Sequence, residues 1–246
     1  MVSAAAKMRN ATVLRVAGRS VQLYDGNLFE ASIASRAVKP IVGDSVSLDL
    51  EGGKGLVRAI TDRRNCLTRT FGTLDKEIVS NLDRLFVVTA VGALFNTAVI
   101  DRVLSIAWRE DIPVTLVLNK IDLGPEPRLE IYRQLKIDTL ELSARFGEGF
   151  DSLEARLRSA ETGFVALCGV SGAGKSTILN RLVPEAARKT AEVSLKTGQG
   201  RQTTSETIAY LYGRGGLRPL IIADLPGVQF FGVSHLSMSD VALSFP

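Results

Sequence analysis

Gly174-Lys175-Ser176, with a second glycine at Gly169, has the spacing of a loop that wraps phosphate. The full stretch is Gly169-Val170-Ser171-Gly172-Ala173-Gly174-Lys175-Ser176-Thr177. Its glycines let backbone N–H groups turn inward around phosphate oxygens, and a helix N-terminus behind them adds partial positive charge. Lys175 would reach the β- and γ-phosphates, and the Ser176 hydroxyl would help hold Mg²⁺. The flanks supply the elements that such a loop needs. Residues 164–168 form an apolar run that reads as a buried strand. Ile178, Leu179 and Leu182 then recur at helical spacing before Pro184 stops the pattern. A bound nucleoside triphosphate is expected.

The second constellation is Asn119-Lys120-Ile121-Asp122, at the end of a buried strand over 114–118. Guanine offers two adjacent donors, N1–H and the 2-amino group, and one carboxylate can accept both. Adenine has no such pair, so an unpaired Asp122 would reject it. Lys120 would lay its stem along the base, and Asn119 would tie this loop to the phosphate loop. Ser143-Ala144 follows a short strand over 139–142, where backbone N–H groups would meet guanine O6. Helices are expected near 128–135 and 152–158. An earlier one is marked by Ile100, Val103, Leu104, Ala107 and Trp108, with Trp108 in the core. It follows an apolar strand over 85–90.

Beyond the phosphate loop, the polar, glycine-bearing stretch 184–200 reads as a mobile loop ending in Gly200-Arg201-Gln202-Thr203-Thr204. Thr203 or Thr204 could meet Mg²⁺ and the γ-phosphate as a first switch. The alternative is a Thr-rich lead into a strand over 208–212. An apolar strand over 220–223 delivers Asp224-Leu225-Pro226-Gly227 as a second switch. Asp224 would reach Mg²⁺ through water, and the Gly227 N–H would meet the γ-phosphate. Many such enzymes orient the attacking water with a Gln directly after this Gly, but Val228 stands there. Gln202 is the candidate for that task because its amide both donates and accepts. Gln229 is the runner-up, and the remaining alternative is that a partner completes the site.

Ahead of all this, five short strands near 12–16, 20–23, 28–33, 45–50 and 56–60 alternate with turn residues, which suggests an OB-like barrel. The segments are expected as a tail over 1–7, the barrel over 8–70, a linker over 71–80, an α/β P-loop domain over 81–232 and a helical segment over 233–246. Arg15, Arg19, Arg36, Lys39, Lys54, Arg58, Arg63 and Arg64 make the barrel part basic. Such a barrel either binds RNA or presents a solvated surface to a protein. The chain of 246 residues carries a net charge of +4 and a pI near 9.2, which favours an anionic partner. Only Cys66, Cys168 and His235 represent their types, too few for a Cys/His zinc site or a disulfide framework. Residues 1–10 lack a secretory core, and the most apolar run, 85–95, is too short to span a bilayer. A cytoplasmic protein with no membrane contact is expected.

The guanine-reading tetrad precedes the phosphate loop, and both switches follow it. In GTPases of ordinary order the phosphate loop comes first, so this order is a circular permutation of the domain. From about Thr12 onward the chain resembles the circularly permuted, ribosome-small-subunit-dependent GTPase A family. The likeness rests on the barrel, Asn119-Lys120-Ile121-Asp122, residues 169–177, Gly200–Thr204 and Asp224-Leu225-Pro226-Gly227. It implies a mostly parallel sheet with helices on both faces and GTP hydrolysis stimulated by the small ribosomal subunit. It also implies rRNA binding and a late role in maturation of that subunit, by a monomer that binds GTP or GDP with Mg²⁺. Lys175, Gln202, Thr204 and Gly227 are then the catalytic set.

Two departures stand out. The family usually carries a C-terminal zinc domain with three Cys and one His, and its ligands are absent from this chain, which stops at Phe245-Pro246 where that domain would begin. A His commonly precedes the Thr-Thr of the first switch, where Gln202 stands here. The rival from another class is a guanine-nucleotide-regulated RNA-binding module with negligible turnover. An ATPase is disfavoured by Asp122.

Overall fold

The computed structural model describes residues 9–51, 54–71, 74–158, 163–184, 186, 207–213, 218–225, 239, 243 and 244. Five strands come first: β1 (Arg9–Ala17), β2 (Ser20–Tyr24), β3 (Leu28–Ile33), β4 (Ser45–Glu51) and β5 (Lys54–Ile60). They close into a barrel of order β1-β2-β3-β5-β4, the OB arrangement, in which β3 and β5 run parallel and the other pairs antiparallel. Ala11, Val13, Val21, Leu23, Ala31, Ile33, Val46, Leu48 and Val57 fill it, two residues apart along each strand as the pleat requires. A register shift in β1 between Val13 and Arg15 lets two successive residues be buried. Val13 fills the barrel, while Leu14 joins the core of the domain that follows.

Residues 71–80, expected as a linker without regular structure, are mostly strand. β6 (Cys66–Phe71) and β7 (Leu74–Ser80) form an antiparallel hairpin. Lys76 and Glu77 are exposed, and burial falls on Ile78, Val79 and Ser80 together, so no alternating signal reaches the sequence. Val79 also pairs with Val42 from the barrel's β3–β4 connection, which joins the hairpin to the barrel.

The second domain is a six-stranded sheet of order β10-β9-β8-β11-β13-β12. Its strands are β8 (Arg84–Ala90), β9 (Val114–Asn119), β10 (Asp138–Leu142), β11 (Phe164–Gly169), β12 (Ile208–Tyr212) and β13 (Leu220–Asp224). All pairs are parallel except β12 with β13. The central strands are mostly apolar because both faces are covered. On one face, α1 (Thr97–Arg109) and α2 (Leu129–Gln134) pack Ile100, Leu104 and Tyr132 against Val87, Leu116 and Cys168. On the other, α3 (Phe150–Leu157) and α4 (Lys175–Leu182) pack Leu153, Ile178 and Leu182 against Val88, Val117 and Leu167. β11 thus sits in the middle of the sheet although it comes late in the chain, as the permuted order requires.

Trp108 departs from expectation. It is 47% exposed near the C-terminal end of α1, while Ile100, Val103, Leu104 and Ala107 point inward as the periodicity demands. Ile106 is buried as well, so the inward stripe of α1 is centred away from Trp108, which lies at its outer margin. The tail over 1–7, nearly all of 233–246, and the stretch expected as a mobile loop, save Pro184 and Ala186, lie outside the described residues.

Candidate nucleotide site

The C-terminal ends of β9, β10, β11 and β13 share one edge of the sheet, where α/β folds bind ligands. β11 delivers Gly169 against β8 so closely that any side chain there would overlap the Val88 carbonyl oxygen; with φ of 146° the position admits only glycine. The loop then turns into α4, whose N-cap, Gly174, has φ of 98°. A Cβ on Gly174 would strike the Asn119 amide. Lys175 Nζ donates to the Gly169 carbonyl at 3.0 Å, so the lysine arches across the loop it serves. Ser176 and Thr177 are exposed on the first turn of α4, and Ser171 and Gly172 are exposed on the loop.

Asn119 is buried at the end of β9 and holds three segments together. Its Nδ2 donates to the Ala173 carbonyl at 2.8 Å, and its Oδ1 accepts from the amides of Lys120 (2.8 Å) and Ala144 (2.9 Å). The Asn119-Lys120 loop, the Ser143-Ala144 loop and the phosphate loop therefore share one buried amide. Lys120 takes a left-handed conformation with φ of 65°, which starts the tight turn through Ile121 and Asp122. Asp122 is exposed, and its Oδ1 accepts from the Ser143 hydroxyl at 2.5 Å. The hydroxyl fixes one carboxylate oxygen and aims the group outward. Spacing alone gives Ser143 no such role, because the contact bridges residues 21 apart in sequence. The Ala144 amide, expected to face guanine O6, is already engaged by Asn119.

Asp224 closes β13 beside Lys175. Burial pushes its carboxyl up to about 6, and the Lys175 charge opposes that rise. One half-buried carboxylate and one exposed hydroxyl at the mouth of this loop are oxygen donors of the kind Mg²⁺ takes while keeping most of its waters. Among the described residues no group of three or more His, Cys, Asp or Glu gathers to hold a metal without help from nucleotide or water. Cys168, one residue before the loop, is buried, and burial pushes its thiol up to about 12, which removes it as a nucleophile. Gln202, Thr203, Thr204 and Gly227 lie outside the described residues, as do Val228 and Gln229.

Several basic residues of the barrel part are ion-paired. Arg58 pairs with Asp49, Arg63 with Asp44 and Glu77, and Arg64 with Asp83. Arg19, Arg36 and Lys39 are exposed. Arg19 donates to the carbonyls of Ile33 and Ala34, which puts it beside the β3–β4 connection that carries the other two.

The sequence profile of the RsgA GTPase family matches residues 60–234. A small ribosomal subunit biogenesis GTPase RsgA from Bordetella pertussis is 37% identical over 235 residues, which span 92% of this chain and 76% of the relative. Its namesake from Actinobacillus succinogenes is 34% identical over 239 residues, 92% of this chain and 66% of the relative. Among solved structures, YjeQ from Thermotoga maritima superposes with a TM-score of 0.72 at 22% identity, over 96% of this chain and 81% of its own. YloQ, described as a circularly permuted GTPase, superposes with a TM-score of 0.65 at 21% identity, over 97% and 78%. At such identities the two structures speak to the fold: a closed five-stranded barrel followed by a permuted α/β domain.

Proposed function

The chain belongs to the RsgA GTPase family and is a GTP hydrolase; from that premise we propose that it acts on the small ribosomal subunit during biogenesis, in the cytoplasm, with the subunit stimulating its turnover. Residues 169–177 wrap the phosphates, and Lys175 neutralises charge on the β- and γ-phosphates. Ser176 and Asp224 would hold Mg²⁺, which would supply further charge neutralisation when bound. Asn119, Lys120, Ile121 and Asp122, with Ser143 and Ala144, select guanine. Gln202, Thr203, Thr204 and Gly227 complete the γ-phosphate side and orient the water. Water then attacks the γ-phosphate with GDP as leaving group, and the chain's contribution is position and charge rather than covalent chemistry.

The observation that carries this assignment is the single Asn119 side chain bonded to all three loops, which makes base recognition and phosphate binding one rigid unit. Support for rRNA contact comes from the exposed cluster of Arg19, Arg36 and Lys39 on one rim of the barrel. Phosphate contacts made by three such charges release counterions, so affinity should fall steeply with salt.

The test is GTP hydrolysis with and without purified small subunits, for the wild-type chain and for Arg19→Ala/Arg36→Ala/Lys39→Ala. Stimulation by subunits that weakens in the triple variant, with unchanged turnover in their absence, is the expected result. Equal turnover with and without subunits would refute the ribosomal role.

A further inference from the structure

A short turn, residues 91–96, joins β8 to α1 and stands between the guanine-reading segment and the phosphate loop. At its start the Val91 amide meets the Asn119 carbonyl at 3.3 Å. At its apex Leu94 lies against the phosphate loop: a side chain on Gly172 would sit 3.8 Å from a Leu94 methyl. The Leu94 carbonyl is held by the Thr89 hydroxyl at 2.9 Å. The segment that begins with Asn119 returns to this turn at its other end. Glu126 Oε2 accepts from the Gly92 amide at 2.9 Å. Arg128 donates to the Gly92 carbonyl at 2.8 Å and to the Phe95 carbonyl at 3.1 Å. The same guanidinium grips both Glu126 oxygens at 2.6 Å and lies 5.0 Å over the Phe95 ring.

We propose that Glu126 and Arg128 are positioning residues that hold the 91–96 turn as a buttress for the phosphate loop at Gly172, so that the guanine-reading segment braces that loop at both of its ends. The proposal rests on residues 169–177 being the phosphate loop. Desolvating a carboxylate is costly, and Glu126 is buried at 8% exposure, so an ion pair is a poor device for merely closing a surface turn. A guanidinium fork, however, reaches two carbonyls and a carboxylate in one fixed plane, which a lysine or an apolar pair does not. Pro125 and Pro127 flank Glu126 and fix φ on either side of it, which limits its freedom before any contact forms. Among the described residues, the side-chain hydrogen bonds of Glu126 and Arg128 beyond their own pair go to this one turn. Glu126 is the buried member and Arg128 the more exposed one, so the arginine can be altered without opening the core.

The experiment is titration of GDP and of inosine diphosphate, which lacks the guanine 2-amino group, into the wild-type chain, Arg128→Ala, Arg128→Lys, Leu94→Ala and the Arg128→Ala/Leu94→Ala double variant. Leu94 is only partly buried and outside the ion pair, so its variant tests the buttress without risk to the charge balance. A displaced phosphate loop should weaken both nucleotides by a common factor of about ten, leaving their ratio within about twofold. Arg128→Lys should recover part of the loss. The double variant should lose no more than the worse single one, because both act through one turn. Unchanged GDP affinity in folded Leu94→Ala and Arg128→Ala would overturn the proposal. So would a collapse of the GDP-to-inosine-diphosphate ratio, since the pair would then serve the base loop alone. A wild-type chain that binds neither nucleotide would instead remove the phosphate-loop assignment beneath it.

Discussion

Asp224 carries its charge at a cost in stability. Its folded carboxyl sits at about 6 against an ordinary value of 3.8, because burial disfavours the charge more than Lys175 favours it. Below pH 4 the group is protonated folded or unfolded and costs nothing. Between pH 4 and pH 6 the unfolded chain ionises first, so stability falls as pH rises, and above pH 6 the penalty is complete, roughly 2–3 kcal/mol. Asp224→Asn should therefore raise the stability of the nucleotide-free protein at pH 7 by up to that amount. The gain should vanish by pH 4 while GTP hydrolysis is lost, and denaturant melts across that range would check it. The placement of Lys175, Asn119 and Asp122 was legible from the sequence because covalent spacing fixes them on one loop or one strand end. Ser143 as the anchor of Asp122 was not, since its contact forms only when β9 and β10 lie side by side.

At the scale of elements, legibility followed burial pattern. β8, β9 and β11 are covered on both faces, and their continuous apolar runs mark them unambiguously. The five barrel strands declared themselves by alternation and by turn residues between them. β7 did not, because among its described side chains Lys76 and Glu77 are exposed and Ile78, Val79 and Ser80 are buried in succession, with no alternation. Trp108 misled for the opposite reason: its spacing from Ile100 and Leu104 matches a helical face, yet the buried face of α1 also takes Ile106 and is turned away from it. Asn96 caps that helix by accepting from the Val99 amide at 3.2 Å, a local start signal carried by the sequence. The strand and helix on either side of residues 169–174 stand where the sequence placed them, because an apolar run and a helical apolar spacing each mark one of them.

The whole molecule depends on how the barrel is fastened to the sheet. Asp44, fully buried, accepts from the Ile41 amide (2.8 Å), the Ser80 hydroxyl (2.6 Å) and two Arg63 nitrogens (2.7 and 3.0 Å). Its neighbour Gly43 leaves no room for a side chain beside the Ser80 carbonyl and the Phe164 ring, and Phe164 opens the very strand that delivers the phosphate loop. Barrel, hairpin and nucleotide domain therefore meet at one point, a junction that no local pattern announces. Asp44→Ala leaves Arg63 and Ser80 without their shared acceptor and should cost about 3 kcal/mol. Calorimetry should then show the barrel melting ahead of the nucleotide domain, where the wild-type chain melts in one transition. The central claim is that this permuted molecule is a guanine-specific hydrolase, and base choice tests it most directly. Xanthine carries a carbonyl where guanine carries its 2-amino group, so an amide in place of the Asp122 carboxylate should donate where the carboxylate accepted. Measured turnover of GTP, ATP and XTP should favour GTP in the wild-type chain and shift to XTP in Asp122→Asn, with ATP poor in both. A variant that keeps its preference for GTP would contradict the site as assigned.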